Sequence, residues 1–96
     1  MNRPPVLRYF RIKNFETFQH YKDRNPPWIK LYARLWRDRD FQMLADNHKA
    51  HLIGLFSLAS QYENRLLADE SWLSRELVVT SKLDMKALED SGFIVY

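Results

Sequence analysis

The stretch DESWLSRELVVTSKLDMKALEDSGFIVY, residues 69–96, leaves few folds open. It reads as a short helix, a tight turn, a second helix and a strand. Asp69 or Ser71 can cap the first helix, because either side chain accepts from a free backbone N–H of the first turn. Trp72, Leu73 and Leu77 then fall on one face at helical spacing. Val78 and Val79 resist helix through their stiff χ1 angles, and Thr80 or Ser81 starts the second helix as its cap. Ser81 and Asp84 have the capping-box spacing. Leu83, Ala87 and Leu88 share the inner face of this helix, which leaves Lys82, Met85, Lys86 and Glu89 facing outward. Gly92 stands where a left-handed stop is wanted, and residues 93–96 continue as an apolar, β-prone run. Helix, turn, helix and strand in this order are the layout of a winged helix-turn-helix.

The rest of the chain supplies a core for that module. Residues 6–12 alternate aromatic and aliphatic positions with arginines and predict a strand. Residues 15–24, FETFQHYKDR, fit a short helix or an irregular loop equally well. Asn25 followed by Pro26 and Pro27 predicts a helix start, since proline loses nothing in a first turn whose N–H groups are unpaired anyway. In that helix Trp28, Leu31, Tyr32, Leu35 and Trp36 form one apolar stripe, with Lys30, Arg34 and Arg37 on the opposite face. The longest helix is expected over residues 47–62, capped by Asp46 or Asn47. Leu52, Ile53, Leu55, Phe56, Ala59 and Tyr62 cover about half its circumference, so neighbours must bury it. Gly54 costs this helix roughly 1 kcal/mol against alanine, and close approach of another element would be a reason to keep it. Residues 65–68 are expected to pair as a strand with 93–96, and Phe56 and Trp72 to be core residues. The expectation is one mostly helical α+β domain over residues 1–96, winged-helix-like, with a small sheet and flexible residues 1–5.

Composition removes several classes of function. The 96 residues include no cysteine, so disulfides, zinc fingers and thiol chemistry are excluded, and a reducing cytoplasm is the natural setting. The opening MNRPPVLRYF lacks the apolar segment of a signal peptide, and no run is long enough to span a bilayer. Charge is unevenly placed. Residues 1–40 hold ten Lys/Arg against four acids, and residues 41–96 hold five against eight. The basic half is therefore not the helix-turn-helix half.

No arrangement of catalytic or metal-binding residues emerges. His48 and His51 lie one turn apart near Asp46, but a metal needs a further converging ligand, and surface or capping roles account for both. His20 sits in an aromatic segment suited to packing. Ser57 has no base nearby in sequence, the acids of residues 84–90 read as a solvated helix face, and two glycines cannot make a phosphate-binding loop. The expectation is a protein that is not an enzyme and needs no cofactor or metal. For nucleic acid, the row Lys30, Arg34 and Arg37 offers phosphate contacts, the alternative being an ordinary solvated face. Arg8, Arg11 and Lys13 interleave with Tyr9 and Phe10, which could stack on single-stranded bases or pack into a core. Lys82 and Lys86 could touch phosphate, but acids flank them, and the helix carries no Arg, Asn or Gln to read base edges. Its face of Lys82, Met85, Lys86 and Glu89 suits a protein partner equally well.

The segment FQHYKDRNPPWIKL, residues 18–31, resembles the opening of phage and prophage proteins described as replication-protein-like or replisome-organiser-like. The resemblance continues through KAHLIGLFSLASQYENRL and the Trp72 helix to SGFI, and so covers nearly the whole chain. It implies an N-terminal winged-helix domain, followed in those proteins by a longer polar part. This chain ends at Tyr96, before a second wing strand or such an extension. The implied function is a nucleic-acid-binding module of low sequence specificity with DNA as partner. The alternative is a small phage-encoded adaptor or inhibitor that binds a host or phage protein, a CRISPR inhibitor being one case.

Overall fold

Alternation along YFRI sets the sheet. In the computed structural model, which describes residues 7–18 and 28–96, Phe10 and Ile12 are buried while Tyr9 and Arg11 face outward on strand β1 (Tyr9–Ile12). Helix α1 (Phe15–Phe18) follows, then a 3-10 turn (Ala33–Arg37) and α2 (Arg39–Gln42). The long helix α3 (Asp46–Gln61), strand β2 (Leu66–Leu67), helices α4 (Glu70–Leu77) and α5 (Met85–Asp90), and strand β3 (Ile94–Val95) complete the chain. Residues 1–5, His20 and the proposed helix start at Asn25 and Pro26 lie outside the described residues.

The sheet order is β2-β1-β3, antiparallel throughout. Residues 65–68 therefore do not pair with 93–96 as expected, because β1 runs between them. Tyr9 lies opposite Leu67 and Phe10 opposite Leu66, while Arg11 faces Val95 and Ile12 faces Ile94. Two-residue strands have little to offer each other, whereas the four-residue β1 can pair with both and bury Phe10 and Ile12 in the core. The fold is α+β and winged-helix-like: α3, β2, α4, α5 and β3 follow the expected order, and β1 holds the sheet position beside β3 where a second wing strand would lie.

One side chain completes the sheet. Continuing the register of β1 and β2 puts Asn64 opposite Ile12, but there the backbone has already turned away, with Glu63 and Asn64 both at positive φ (53° and 55°). Asn64 reaches back instead: its Oδ1 accepts from Ile12 N (2.7 Å) and its Nδ2 donates to Ile12 O (2.9 Å). This reproduces the exchange of two hydrogen bonds between opposed residues of an antiparallel pair. Asparagine also tolerates the left-handed conformation better than most residues.

Helix α3 begins at Asp46. Its cap position is Ala45, which has no side-chain cap, so neither Asp46 nor Asn47 caps it as expected. Asp46 stands in the first turn, where its charge complements the helix dipole. Leu52, Leu55, Leu58 and Ala59 are buried, and Phe56 and Trp72 pack at the edge of the core, each half-buried. A Cβ on Gly54 would come within 3.0 Å of Leu77 Cδ2, so α4 does make the close approach that this glycine suggested.

In the helix pair, Asp69 is the cap, accepting from Trp72 N (3.0 Å), while the Ser71 hydroxyl accepts from Arg75 Nη1 (3.1 Å). The second helix differs from expectation. Its cap is Asp84, which accepts from Ala87 N (3.0 Å), and not Thr80 or Ser81. Starting at Met85 changes the face that the helix buries: Met85 and Leu88, three residues apart, now share the inner side, and Met85 is only 7% exposed. The outward placement of Met85 is thus corrected, while Lys82, Lys86 and Glu89 remain exposed. Gly92 (φ 81°) ends α5 as expected, with Phe93 N donating to Leu88 O.

Two stability predictions follow from these backbones. Asn64→Gly keeps the left-handed conformation but leaves both polar groups of Ile12 without their partner. A buried group so orphaned costs about 1–3 kcal/mol, so the variant should lose roughly 2–4 kcal/mol in urea unfolding; a loss below about 0.5 kcal/mol would refute the strand-mimic role. Val78, exposed and at φ 53°, ends α4 where glycine is usual. Val78→Gly relieves a strained β-branched residue and sacrifices no packing, so it should stabilise by about 1 kcal/mol after the entropy of glycine is subtracted. Destabilisation in the same assay contradicts the strain.

Candidate nucleic-acid interface

Residues 28–37 do not form the helix that their apolar spacing suggests. Residues 28–32 are non-helical, Tyr32 is extended (φ −73°, ψ 134°), and only Ala33–Arg37 coils, as a 3-10 turn. Asp38 closes that turn and caps α2, its Oδ1 accepting from Phe41 N (3.0 Å). Its extended backbone prevents one continuous helix from joining the two. Phe41 carries the burial that the stripe was expected to supply. Of the stripe, Leu35 packs against the core, whereas Trp28, Leu31, Tyr32 and Trp36 are exposed.

The cations of this segment do come together. A 3-10 helix has three residues per turn, so Arg34 and Arg37 stand one above the other. With Lys30 they border a groove of about 270 Å³ whose apolar wall includes Ile12, Phe15, Leu35, Phe56 and Phe93. Lys13 borders it too, fixed where Lys13 N donates to Phe93 O (3.0 Å) beside β3. Arg34 lies over the Tyr32 ring, 5.0 Å from its centroid. Among the described residues, four cations and one carboxylate, Asp38, thus line the groove. Lys13 was grouped with the strand arginines in sequence, and only its place one residue past a buried strand end hinted at another surface.

The other expected contacts lie elsewhere. Phe10 is buried, and Tyr9 is covered by the Arg65 guanidinium at 3.9 Å, so neither ring is presented for base stacking. Arg8 lies over the Tyr96 ring (4.8 Å), and Arg11 is exposed on β1; neither borders the groove. Lys82 and Lys86 border a second, polar cleft with Asn47, His48, Glu70 and Asp84. Lys86 Nζ is paired with Asp90 (3.1 Å), an exposed i, i+4 pair of small energetic value.

His51 is not the surface residue expected. It is 1% exposed, with Nε2 bonded to Ser81 Oγ (2.9 Å) and Nδ1 buried without a partner. That bond ties α3 to the segment before α5 and employs the serine expected to cap it. The ring of His48 lies 6.1 Å away. Among the described residues no three His, Asp or Glu side chains converge on a metal position. The Ser57 hydroxyl points back to Ile53 O (3.4 Å) on its own helix.

Comparison of the chain with protein-family models, curated proteins and solved structures finds no match. No helix of the described residues is long and apolar enough to cross a membrane.

Burial lowers the His51 pKa below 6.5, and the nearby His48 lowers it further. Between the lowered value and 6.5 the unfolded chain binds a proton that the folded chain refuses. The contribution of His51 to stability is therefore complete above pH 6.5 and declines as the pH falls toward the lowered value. The thermal midpoint of the wild type should drop more steeply over this window than that of His51→Gln. Parallel curves for the two proteins would show that the ring does not titrate with unfolding.

Proposed function

We propose that this chain is a nucleic-acid-binding module of low sequence specificity, of the kind a phage replication-type protein carries. The observation that supports this reading best is the groove: among the described residues, Lys13, Lys30, Arg34 and Arg37 border one recess together with Asp38, whose carboxylate also caps α2. Cations grouped in this way exchange counterions for phosphates. Low specificity is expected because α5 and the residues just before it expose Lys82, Asp84, Lys86, Glu89 and Asp90 but no Arg, Asn or Gln to read base edges. A phage replication setting and a cytoplasmic location belong to this reading as further expectations.

A protein-binding adaptor or inhibitor remains the other reading. The acidic second helix still favours it, but an outward Met85 does not, since Met85 is buried. Lys82, Lys86 and Glu89 alone present an ordinary mixed-charge surface.

The test is fluorescence anisotropy with short DNA at several salt concentrations. Wild type should bind more weakly as salt rises, log K falling linearly with log salt. Lys30→Ala/Arg34→Ala/Arg37→Ala should flatten that slope by about 2 to 3 units, at close to one unit per lost phosphate contact. Absence of binding to single-stranded or duplex DNA at low salt would remove the proposal.

A further inference from the structure

The alternation of β1 gives the sheet a second face, turned away from α3. Leu7, Tyr9 and Arg11 lie on it, opposite in direction to the buried Phe10 and Ile12. On the neighbouring strands Leu67 stands opposite Tyr9, and Val95 opposite Arg11. The same register sets Arg65 on the other side of Arg11, in a pair of the narrow, non-hydrogen-bonded kind where side chains come closest. Two like charges placed in this way weaken a sheet. No acid stands among these six residues, and Arg11 makes no hydrogen bond or ion pair with the described residues. Arg65 reaches away from Arg11 and lies over the Tyr9 ring, 3.9 Å from its centroid. The face of its guanidinium is thereby held while the N–H edge stays open. Around the two arginines Leu7 is 60% exposed, and Tyr9, Leu67 and Val95 are each half-buried.

Size and chemistry together select the occupant. The face is three strands wide, about 4.8 Å apart, and runs four steps of about 3.3 Å from Leu7 to Arg11. That is roughly 10 by 13 Å, against about 800 Å² on each side of a standard interface between folded proteins. A short extended segment matches it, whereas a folded domain does not. Nucleic acid would leave half of the surface without a counterpart. Phosphates offer nothing to Leu7, Leu67 or Val95, and bases would find the Tyr9 ring already covered. A peptide with apolar side chains between its carboxylates presents both chemistries at once. Carboxylates fit the fork of a guanidinium, and Arg and Tyr recur among the residues that dominate binding between proteins.

We infer that the outer face of the sheet docks a short acidic segment of a partner protein, with its carboxylates on Arg11 and Arg65 and its apolar side chains on Leu7, Leu67 and Val95. None of these residues borders the groove before α2, so the surface stands apart from the nucleic-acid reading. A carboxylate between the two guanidinium groups accepts from both and offsets the repulsion that the register imposes.

The experiment follows amide chemical shifts of the isotope-labelled whole chain. The probe is a peptide of about eight residues, long enough to cross the face, alternating Glu with Leu or Phe. Three controls accompany it: the same peptide with Lys for Glu, poly-glutamate of equal charge, and oligo-dT. The acidic peptide should shift the amides of Tyr9, Arg11, Leu67 and Val95 saturably and leave those of Arg34 and Arg37 in place. Arg11→Ala and Arg65→Ala should each weaken it by at least about five-fold, as loss of a charge-assisted contact requires. Arg65→Lys keeps the charge but loses the fork and the ring contact, so it should also weaken binding. Leu7→Ser should weaken the peptide and leave poly-glutamate unchanged, and Arg75→Ala on α4 should alter neither. Arg11→Thr removes the like-charge pair and should melt no lower than wild type at low salt; a lower midpoint makes Arg11 a support of the fold and overturns the proposal. Absence of saturable shifts, or equal binding of the lysine peptide, overturns it as well. Poly-glutamate that binds as tightly as the peptide removes the apolar contacts. Oligo-dT that shifts the same amides as tightly assigns the face to nucleic acid instead.

Discussion

The pair of hydrogen bonds between Asn64 and Ile12 determines where β1 lies, and with it most of the remaining arrangement. The N–H and C=O of Ile12 point toward the β2 side of the sheet, where the backbone has already left the ladder. Buried in the core, those groups need partners. Asn64 provides them at 2.7 and 2.9 Å from a left-handed position at the end of α3. On the opposite side, Lys13 N donates to Phe93 O and continues the pairing with β3. The N-terminal strand is thereby held on both edges, between two strands that would be too short to form a sheet alone.

The groove is a consequence of that placement. Ile12, Lys13 and Phe15 reach it because β1 is central, and Phe93 reaches it because β3 is the partner of β1. Phe56 comes from α3, which packs on the inner face of the sheet. The 3-10 turn contributes Leu35 from one side and Arg34 and Arg37 from another, the separation that three residues per turn requires. Apolar wall and charged border thus arise from segments far apart in sequence, joined by strand pairing.

What could be read from sequence was local. The α3 helix, the Asp69 cap, the stop at Gly92 and the reason for Gly54 each depend on a few adjacent residues or one strong periodicity, and all are present. Errors arose where a second element decided the outcome. Ser81 has good capping spacing, but its hydroxyl is used by His51, thirty residues away. Asp84 caps α5 in its place, and the shifted start turns Met85 inward. The stripe from Trp28 to Trp36 is helical in spacing alone: residues 28–32 stay non-helical, only Ala33–Arg37 coils, and Phe41 takes the buried position. Lys30, Arg34 and Arg37 nevertheless border one groove, since Arg34 and Arg37 share a face under either helical period. Asn64 was invisible: nothing in an isolated asparagine indicates which distant backbone it will complete.

The uneven charge of the chain acquires a physical meaning from this geometry. In a winged-helix-like layout the second helix of the pair is the usual element to meet a duplex. Here that helix has six residues, begins at an acidic cap and carries Glu89 and Asp90 beside its lysine. Any phosphate brought to Lys86 would have to displace Asp90 and approach further carboxylates, whereas the described residues that line the groove are four cations and one carboxylate among apolar side chains. Among the described residues, carboxylates thus gather at the helix pair and cations at the segment before α2. The helix-turn-helix serves this chain as the packing partner of α3 and the support of β3, and β3 in turn fixes Lys13 and Phe93 at the groove. Its contribution to the groove is indirect, through the position it gives the strand.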